Sequence, residues 1–455
     1  MNFLYKRQLS VQMIQELQLI LDLSIAKTKK MVAVLRKSLD LKSAVETNVL
    51  GKIQELQETL SDFYHVENIG FTDSLGNIIM KDLVYIKDVS EFIMMLINER
   101  KLDPFETLVR VSVDGGGSFM KIIVNVFDVH EKRNEHLDSG VQKCQILAIT
   151  EDISETNANL RLILEKLRLQ DLDYKIAFDL KCGNALFGLS AHGGKFACLW
   201  CEGTSTMCPG HLRTLGSLDV HYKDYKDGGF KRNRMQDYKN VVNERLLYLD
   251  EDPNVLLEHL VPPPELHLLI GFVSLLGTLL MDLWPEFDSW LKSKNIMQRG
   301  YQGRGWDGNN SNKILKFLDG LEEEILKSCP QFIPIVQCLK DFRKVKEACF
   351  GKNLDPCLRN LMERLKNSFL CAQEVAIGNG KNLSITWKVH ILMCHVVPFV
   401  EFHNCGMSRF AEQCGESIHA KFKPTWARYK RSEGHSEHQD KLKKAVIDFG
   451  GRRIT

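Results

Sequence analysis

DLKCGNALFGLSAHGGKFACLWC, running from Asp179 to Cys201, is the stretch on which the fold reading turns. It opens with an acid at the end of a short apolar run, YKIAF (174–178), and closes on Cys198-Leu199-Trp200-Cys201. A carboxylate at the end of a predicted strand suits a hard cation such as Mg²⁺, whose preferred ligands are oxygens. A Cys-x2-Cys knuckle suits a softer tetrahedral ion, most often zinc.

Working upstream, LVRVSVD (108–114) alternates and is rich in β-branched residues, and Gly115-Gly116-Gly117 predicts a turn. Residues 119–127 return as a second strand and 143–150 as a third. A helical pattern covers 155–169, the fourth strand ends at Asp179, and a short helix follows over 182–189. The order β-β-β-α-β-α is that of a ribonuclease H-like core, a mixed sheet flanked by helices. In that fold the first and fourth strands, ending here at Asp114 and Asp179, lie side by side. Before them, residues 9–63 read as helices, with Ser24 or Asp22 as a cap, 77–86 as strand and 90–100 as helix. Lys27, Lys29, Lys30, Arg36 and Lys37 make that region either a DNA-binding or oligomerisation remnant or a lysine-coated bundle.

Downstream, residues 204–262 carry turn signals and mixed charge, and Pro262-Pro263-Pro264 breaks the chain. Helical patterns then cover 266–283, 311–326, 332–350 and 356–369, an all-helical insertion, and recur over 387–400 and 410–426. The 266–283 run contains His267, Gly271, Gly277 and Asp282, and reads as a buried helix rather than a membrane span. Thirteen cysteines at irregular spacing, with no signal sequence, point to a reducing compartment. A net charge of +2 gives no global field for nucleic acid, but from Ser417 onward ten basic residues face four acids.

Two constellations carry chemistry. Asp114 and Asp179 are candidates to hold divalent cations, and AEQCGE (411–416) offers Glu412 and Glu416 as a third acid from a late helix. Glu416 and His419 share one face of that helix. For Cys198 and Cys201, two further ligands could come locally from His192, Cys208 and His211, or from His390 and His395. On an ideal helix positions i and i+5 diverge by about 140°, so the last pair needs a helix end or a local distortion, and Pro398 points to an end. The triple glycine is no phosphate loop, because no Gly-Lys-Ser/Thr follows.

With these residues in hand, the chain resembles the DDE transposases and the catalytic subunit of the V(D)J recombinase, with its Transib and CACTA-type relatives. The phrases LRTLGSL (212–218), PPPELHLLIG (262–271) and EQCGESIHAKF (412–422) also resemble uncharacterised transposon-derived proteins of invertebrates. The resemblance implies a ribonuclease H-like core and three catalytic acids, Asp114, Asp179 and Glu416 or Glu412; the Glu416-Ser417 pair and the spacing from His395 favour Glu416. It implies Mg²⁺ or Mn²⁺ for catalysis and a structural Zn²⁺ on Cys198, Cys201, His390 and His395. DNA is the implied partner, with Lys421, Lys423, Arg428 and Lys430 as phosphate contacts, along with homo-oligomerisation, no membrane and a nuclear location. No DNA-binding finger or helix-turn-helix precedes the core, as in a shortened copy.

The expected architecture is therefore α/β. An N-terminal helical region (1–104) precedes a ribonuclease H-like mixed sheet (105–203) and a large helical insertion (204–384). The second half of the zinc site with the last catalytic helix (385–430) and a basic tail (431–455) complete it. The expected function is DNA cleavage and strand transfer. The alternatives are a domesticated or decayed relative that binds DNA or protein without catalysis, and a purely structural zinc protein.

Overall fold

The computed structural model describes residues 9–38, 48–116, 118–130, 140–190, 194–298, 305–430 and 440–454. The chain forms two compact units, Met1–Lys175 with Cys414–Thr455, and Ile176–Gln413.

The first unit begins with three helices, α1 (Val11–Ile20), α2 (Ile25–Ser38) and α3 (Val49–Phe63), packed on Ile14, Val32, Val49 and Ile53. Of the two cap candidates, Ser24 accepts the Lys27 N–H. Asp22 instead pairs with Arg452 at 2.6 Å. An antiparallel hairpin follows, β1 (Tyr64–Thr72) and β2 (Ile78–Ile86). Asp73 closes its turn by accepting the N–H groups of Leu75 and Asn77. The first 104 residues are thus not a helical region, because this hairpin joins the sheet. β1 escaped the sequence reading because only Tyr64 and Phe71 along it are buried, so it has no clean alternation.

Next come α4 (Val89–Arg100), β3 (Thr107–Gly116), β4 (Phe119–Asp128), β5 (Gln145–Glu151), α5 (Asn157–Leu167) and β6 (Lys175–Phe178). The result is a six-stranded mixed sheet in the order β1-β2-β5-β4-β3-β6. β3 continues two residues past Asp114, which lies opposite Lys121 on β4, so the acid stands within the ladder rather than at its end.

The second unit holds α6 (Leu180–Leu186), α7 (Leu215–Asp227), α8 (Leu257–Leu260), α9 (Glu265–Leu283), α10 (Glu286–Ser293), α11 (Gly308–Lys316), α12 (Leu318–Ser328), α13 (Ile333–Cys349), α14 (Leu358–Gly378) and α15 (Trp387–His403). α7 lies where only turns were expected; Thr214 and Ser217 cap it reciprocally. The single helix expected over 311–326 breaks at Phe317. By length and composition α9 could cross a bilayer, but Leu268, Phe272, Val273, Leu276 and Leu280 are buried. It packs against α11, α13 and α15 as a core helix.

The chain then returns to the first unit through α16 (Gln413–Tyr429) and α17 (Lys441–Gly451). Of the expected basic tail (431–455), the described residues 440–454 are largely core. Leu442, Ala445, Val446 and Phe449 are buried, and a Cβ on Gly450 would lie 2.7 Å from Gln145 Oε1 and 2.9 Å from Leu60 Cδ2, so a larger residue there would have to displace both side chains. Arg452 donates to Asp22, Thr425 and the Asp448 carbonyl, and Arg453 lies 3.6 Å above the Phe449 ring. Guanidinium groups hold several acceptors at once, which lets arginine be buried where lysine is expelled.

Candidate functional site

Cys198, Cys201, His390 and His395 converge in the second unit, all buried, with their ligand atoms within 4.8 Å of one another. Cys198 Sγ is 3.4 Å from His395 Nε2, and Cys201 Sγ is 3.4 Å from His390 Nε2. A tetrahedral zinc with ordinary bond lengths needs a sulfur–nitrogen edge of roughly 3.5 Å, so the donor set and its spacing fit zinc.

The knuckle is held from behind. The Cys201–Leu212 bridge folds residues 202–211 into a tight loop, in which a Cβ on Gly203 would lie 2.7 Å from the Gly210 nitrogen. Arg213, fully buried, donates from Nε to the carbonyls of Cys198 and Cys201, and from Nη2 to those of Phe196 and Lys239. Trp200 stacks on His395 and donates to the Val261 carbonyl. His390 Nδ1 lies 2.6 Å from the Thr206 carbonyl, which places the ring proton there and turns the Nε2 lone pair to the cluster. His395 Nδ1 faces the buried Glu258 carboxylate at 3.4 Å.

Both histidines lie inside α15, which runs on through Pro398 to His403. The expected helix end is therefore absent. Pro398 has no N–H for the carbonyl four residues back, a local loosening that an uninterrupted helix would lack. Of the local alternatives, neither Cys208 nor His211 joins the cluster, and His192 lies outside the described residues. The neighbouring Cys198 thiol, with help from His390 and His395, lowers Cys201, while burial pushes Cys198 up. A metal bound here would take both sulfurs as thiolates and so displace any thiol proton.

In the first unit, α16 packs across the sheet face that carries Asp114. Phe119 meets Phe422 and Trp426 edge to face, and a Cβ on Gly415 would lie 3.6 Å from Asp114 Cβ. His419 Nε2 comes to 2.8 Å from Asp114 Oδ2, and Lys121 Nζ to 2.6 Å from His419 Nδ1. Glu416 is half-buried one turn earlier on the same helix.

Lys121 is 2 % exposed. Burial pulls its pKa down to about 7, with Asp114 opposing the fall. The unfolded chain, with an ordinary lysine near 10.4, therefore binds the extra proton between about pH 7 and 10. Folding stability should rise with pH across that window, with the full cost present below it. Urea unfolding at pH 7 and 9.5 should show the rise in the wild type and lose it in Lys121→Met.

Glu412 has a different employment from Glu416. Pro264 precedes α9 without a capping side chain, and Glu412 Oε1 accepts the N–H groups of Leu266 (2.8 Å) and His267 (3.2 Å). Asp179 caps α6 by accepting the Cys182 N–H at 2.6 Å. Among the candidate phosphate contacts, Lys421, Lys423 and Lys430 are exposed. Arg428 is instead paired with Asp448 (3.0 Å) and Asp22 (3.6 Å).

Sequence reading missed Arg213, Glu258 and Lys121. A lysine in a nine-residue apolar strand was the one available signal, since such a residue must be partnered or neutral. No protein-family model matches the chain, and no curated protein matches it.

Proposed function

We propose that the chain is a DDE-type enzyme of DNA cleavage and strand transfer, built on a ribonuclease H-like core. The observation that carries the reading is the joining of Cys198 and Cys201 to His390 and His395, 189 and 197 residues apart in sequence. The resemblance to DDE transposases assigns these four residues to one zinc site, and no local spacing rule would pair them. The strand order β5-β4-β3-β6 supports it too, being that of the first four ribonuclease H strands.

On this reading Asp114, Asp179 and Glu416 together hold two divalent cations. When bound, such ions ready the attacking oxygen and neutralise charge on the leaving one. The chain's own part is to fix the carboxylates. β3 fixes Asp114 within its ladder, the α6 cap fixes Asp179, and the packing of α16 on Phe119 fixes the turn that carries Glu416. Glu412 is left to its capping role. The zinc site steadies α15, which leads through residues 404–412 into α16. DNA as partner, self-association and a nuclear location belong to the same proposal.

The direct test is DNA cleavage with Mg²⁺ or Mn²⁺ by the wild type against Asp114→Asn. An inactive wild type that still binds DNA would favour the non-catalytic relative. The phosphate contacts are separable. Neutralising Lys421 and Lys423 should weaken DNA binding and reduce its salt slope by about two. Arg428→Ala should instead lower the unfolding midpoint, because it removes the nearer of the two guanidinium partners of buried Asp448 and leaves only Arg452 at 3.7 Å. Filter binding at several salt concentrations, beside thermal unfolding, distinguishes the two outcomes.

A further inference from the structure

The contact between Asp114 and His419 is not an ordinary ion pair. Asp114 Oδ2 and His419 Nε2 are both buried and 2.8 Å apart, yet neither makes a hydrogen bond. The ring N–H direction misses the carboxylate oxygen. Two polar atoms at this distance without a shared proton have the separation of neighbouring ligands on one cation, for which bonds near 2.1 Å at right angles give an edge of roughly 3 Å.

The surroundings fix both donors. Asp114 is locked in the β3–β4 ladder opposite Lys121. Lys121 Nζ occupies the far side of the imidazole at Nδ1, and lies 4.9 and 5.3 Å from the ring centroids of Phe119 and Phe422. A Cβ at Gly116 would come within 3.2 Å of His419 Nε2, so the chain presents bare backbone on that side of the nitrogen. Nε2 presents its lone pair to a cation in the tautomer in which Nδ1 carries the ring proton and donates it to the Lys121 amine.

We propose that His419 Nε2 and Asp114 Oδ2 bind the same divalent cation, and that this site takes Mn²⁺ in preference to Mg²⁺. The inference rests on the reading of Asp114 as a cation-holding carboxylate and adds a nitrogen donor to it. Mg²⁺ favours an all-oxygen shell, whereas an imidazole in the shell favours Mn²⁺.

The test uses full-length protein with its cysteine–histidine site preloaded with zinc, titrated with Mn²⁺ alone and followed by pulsed electron paramagnetic resonance. Bound Mn²⁺ should carry nitrogen modulation from a coordinated imidazole. Asp114→Asn should lose the bound ion. His419→Asn, checked for wild-type zinc content and unfolding midpoint, should lose the modulation and bind Mn²⁺ about tenfold or more weakly. Mg²⁺ should displace Mn²⁺ from that variant more readily than from the wild type. His419→Gln gives the same comparison should the asparagine variant unfold. Mn²⁺ that depends on Asp114 but shows no nitrogen modulation would overturn the His419 assignment and leave the carboxylate reading intact. An absence of any Asp114-dependent Mn²⁺ would overturn both.

Discussion

Asp114→Asn should reduce metal-dependent DNA cleavage by at least about a thousandfold while leaving zinc content at the wild-type value. The change is nearly isosteric, and the β3–β4 ladder that holds residue 114 is made by backbone groups. What is lost is negative charge at the cation. Glu416→Gln should behave in the same way. Glu412→Gln should not, because a glutamine oxygen can still accept the N–H groups of Leu266 and His267. Glu412→Ala should cost about 1–2 kcal/mol of stability through loss of the α9 cap. Cleavage assays and denaturant unfolding on the four variants separate a catalytic acid from a capping one. Retained cleavage in Asp114→Asn would sink the enzyme reading.

Purified wild type should contain one zinc per chain, and Cys201→Ser or His395→Ala should contain none. The accompanying fall in stability should be large, because structural zinc sites supply about 10–16 kcal/mol of apparent binding free energy and unmade sites leave buried polar groups behind. His395 is fully buried between Trp200 and the Glu258 carboxylate, so its removal also leaves an acid uncompensated. Metal analysis after gel filtration and thermal unfolding with and without chelator give the answer. A chelated, zinc-free protein that melts where the untreated one does would refute the structural role.

The Cys198–Cys201 half of the cysteine–histidine cluster was legible because Cys-x2-Cys is a short pattern whose chemistry needs few neighbours. Choosing between His390 with His395 and the nearer His192, Cys208 and His211 took the family resemblance, since the intervening helices have no spacing signature. The strands β3 to β6 were legible from apolar runs bounded by turns. β1 was not, because a half-exposed strand follows no strict alternation. The basic tail was misread for a related reason. Counting charges cannot tell a solvated lysine from Arg452, which spends its donors on Asp22, Thr425 and a carbonyl. The apolar positions Leu442, Ala445, Val446 and Phe449, at helical spacing, were the better guide. The separation of Glu412 from Glu416 depended on where α9 begins in space, a relation between segments 146 residues apart.

The Cys201–His390 contact would make a bound metal a staple across 189 residues. Closing a loop of that length in an unfolded chain costs on the order of 5 kcal/mol in conformational entropy. A zinc ion that captured all four ligands early would remove that freedom before α7 to α14 had formed. During synthesis the knuckle leaves the ribosome long before α15, so Cys198 and Cys201 wait as a two-ligand site until the last helix of the unit arrives. A metal bound there would also tie together the two pieces left by a single backbone cut between α7 and α14, beside the packing of α9 on α13 and α15.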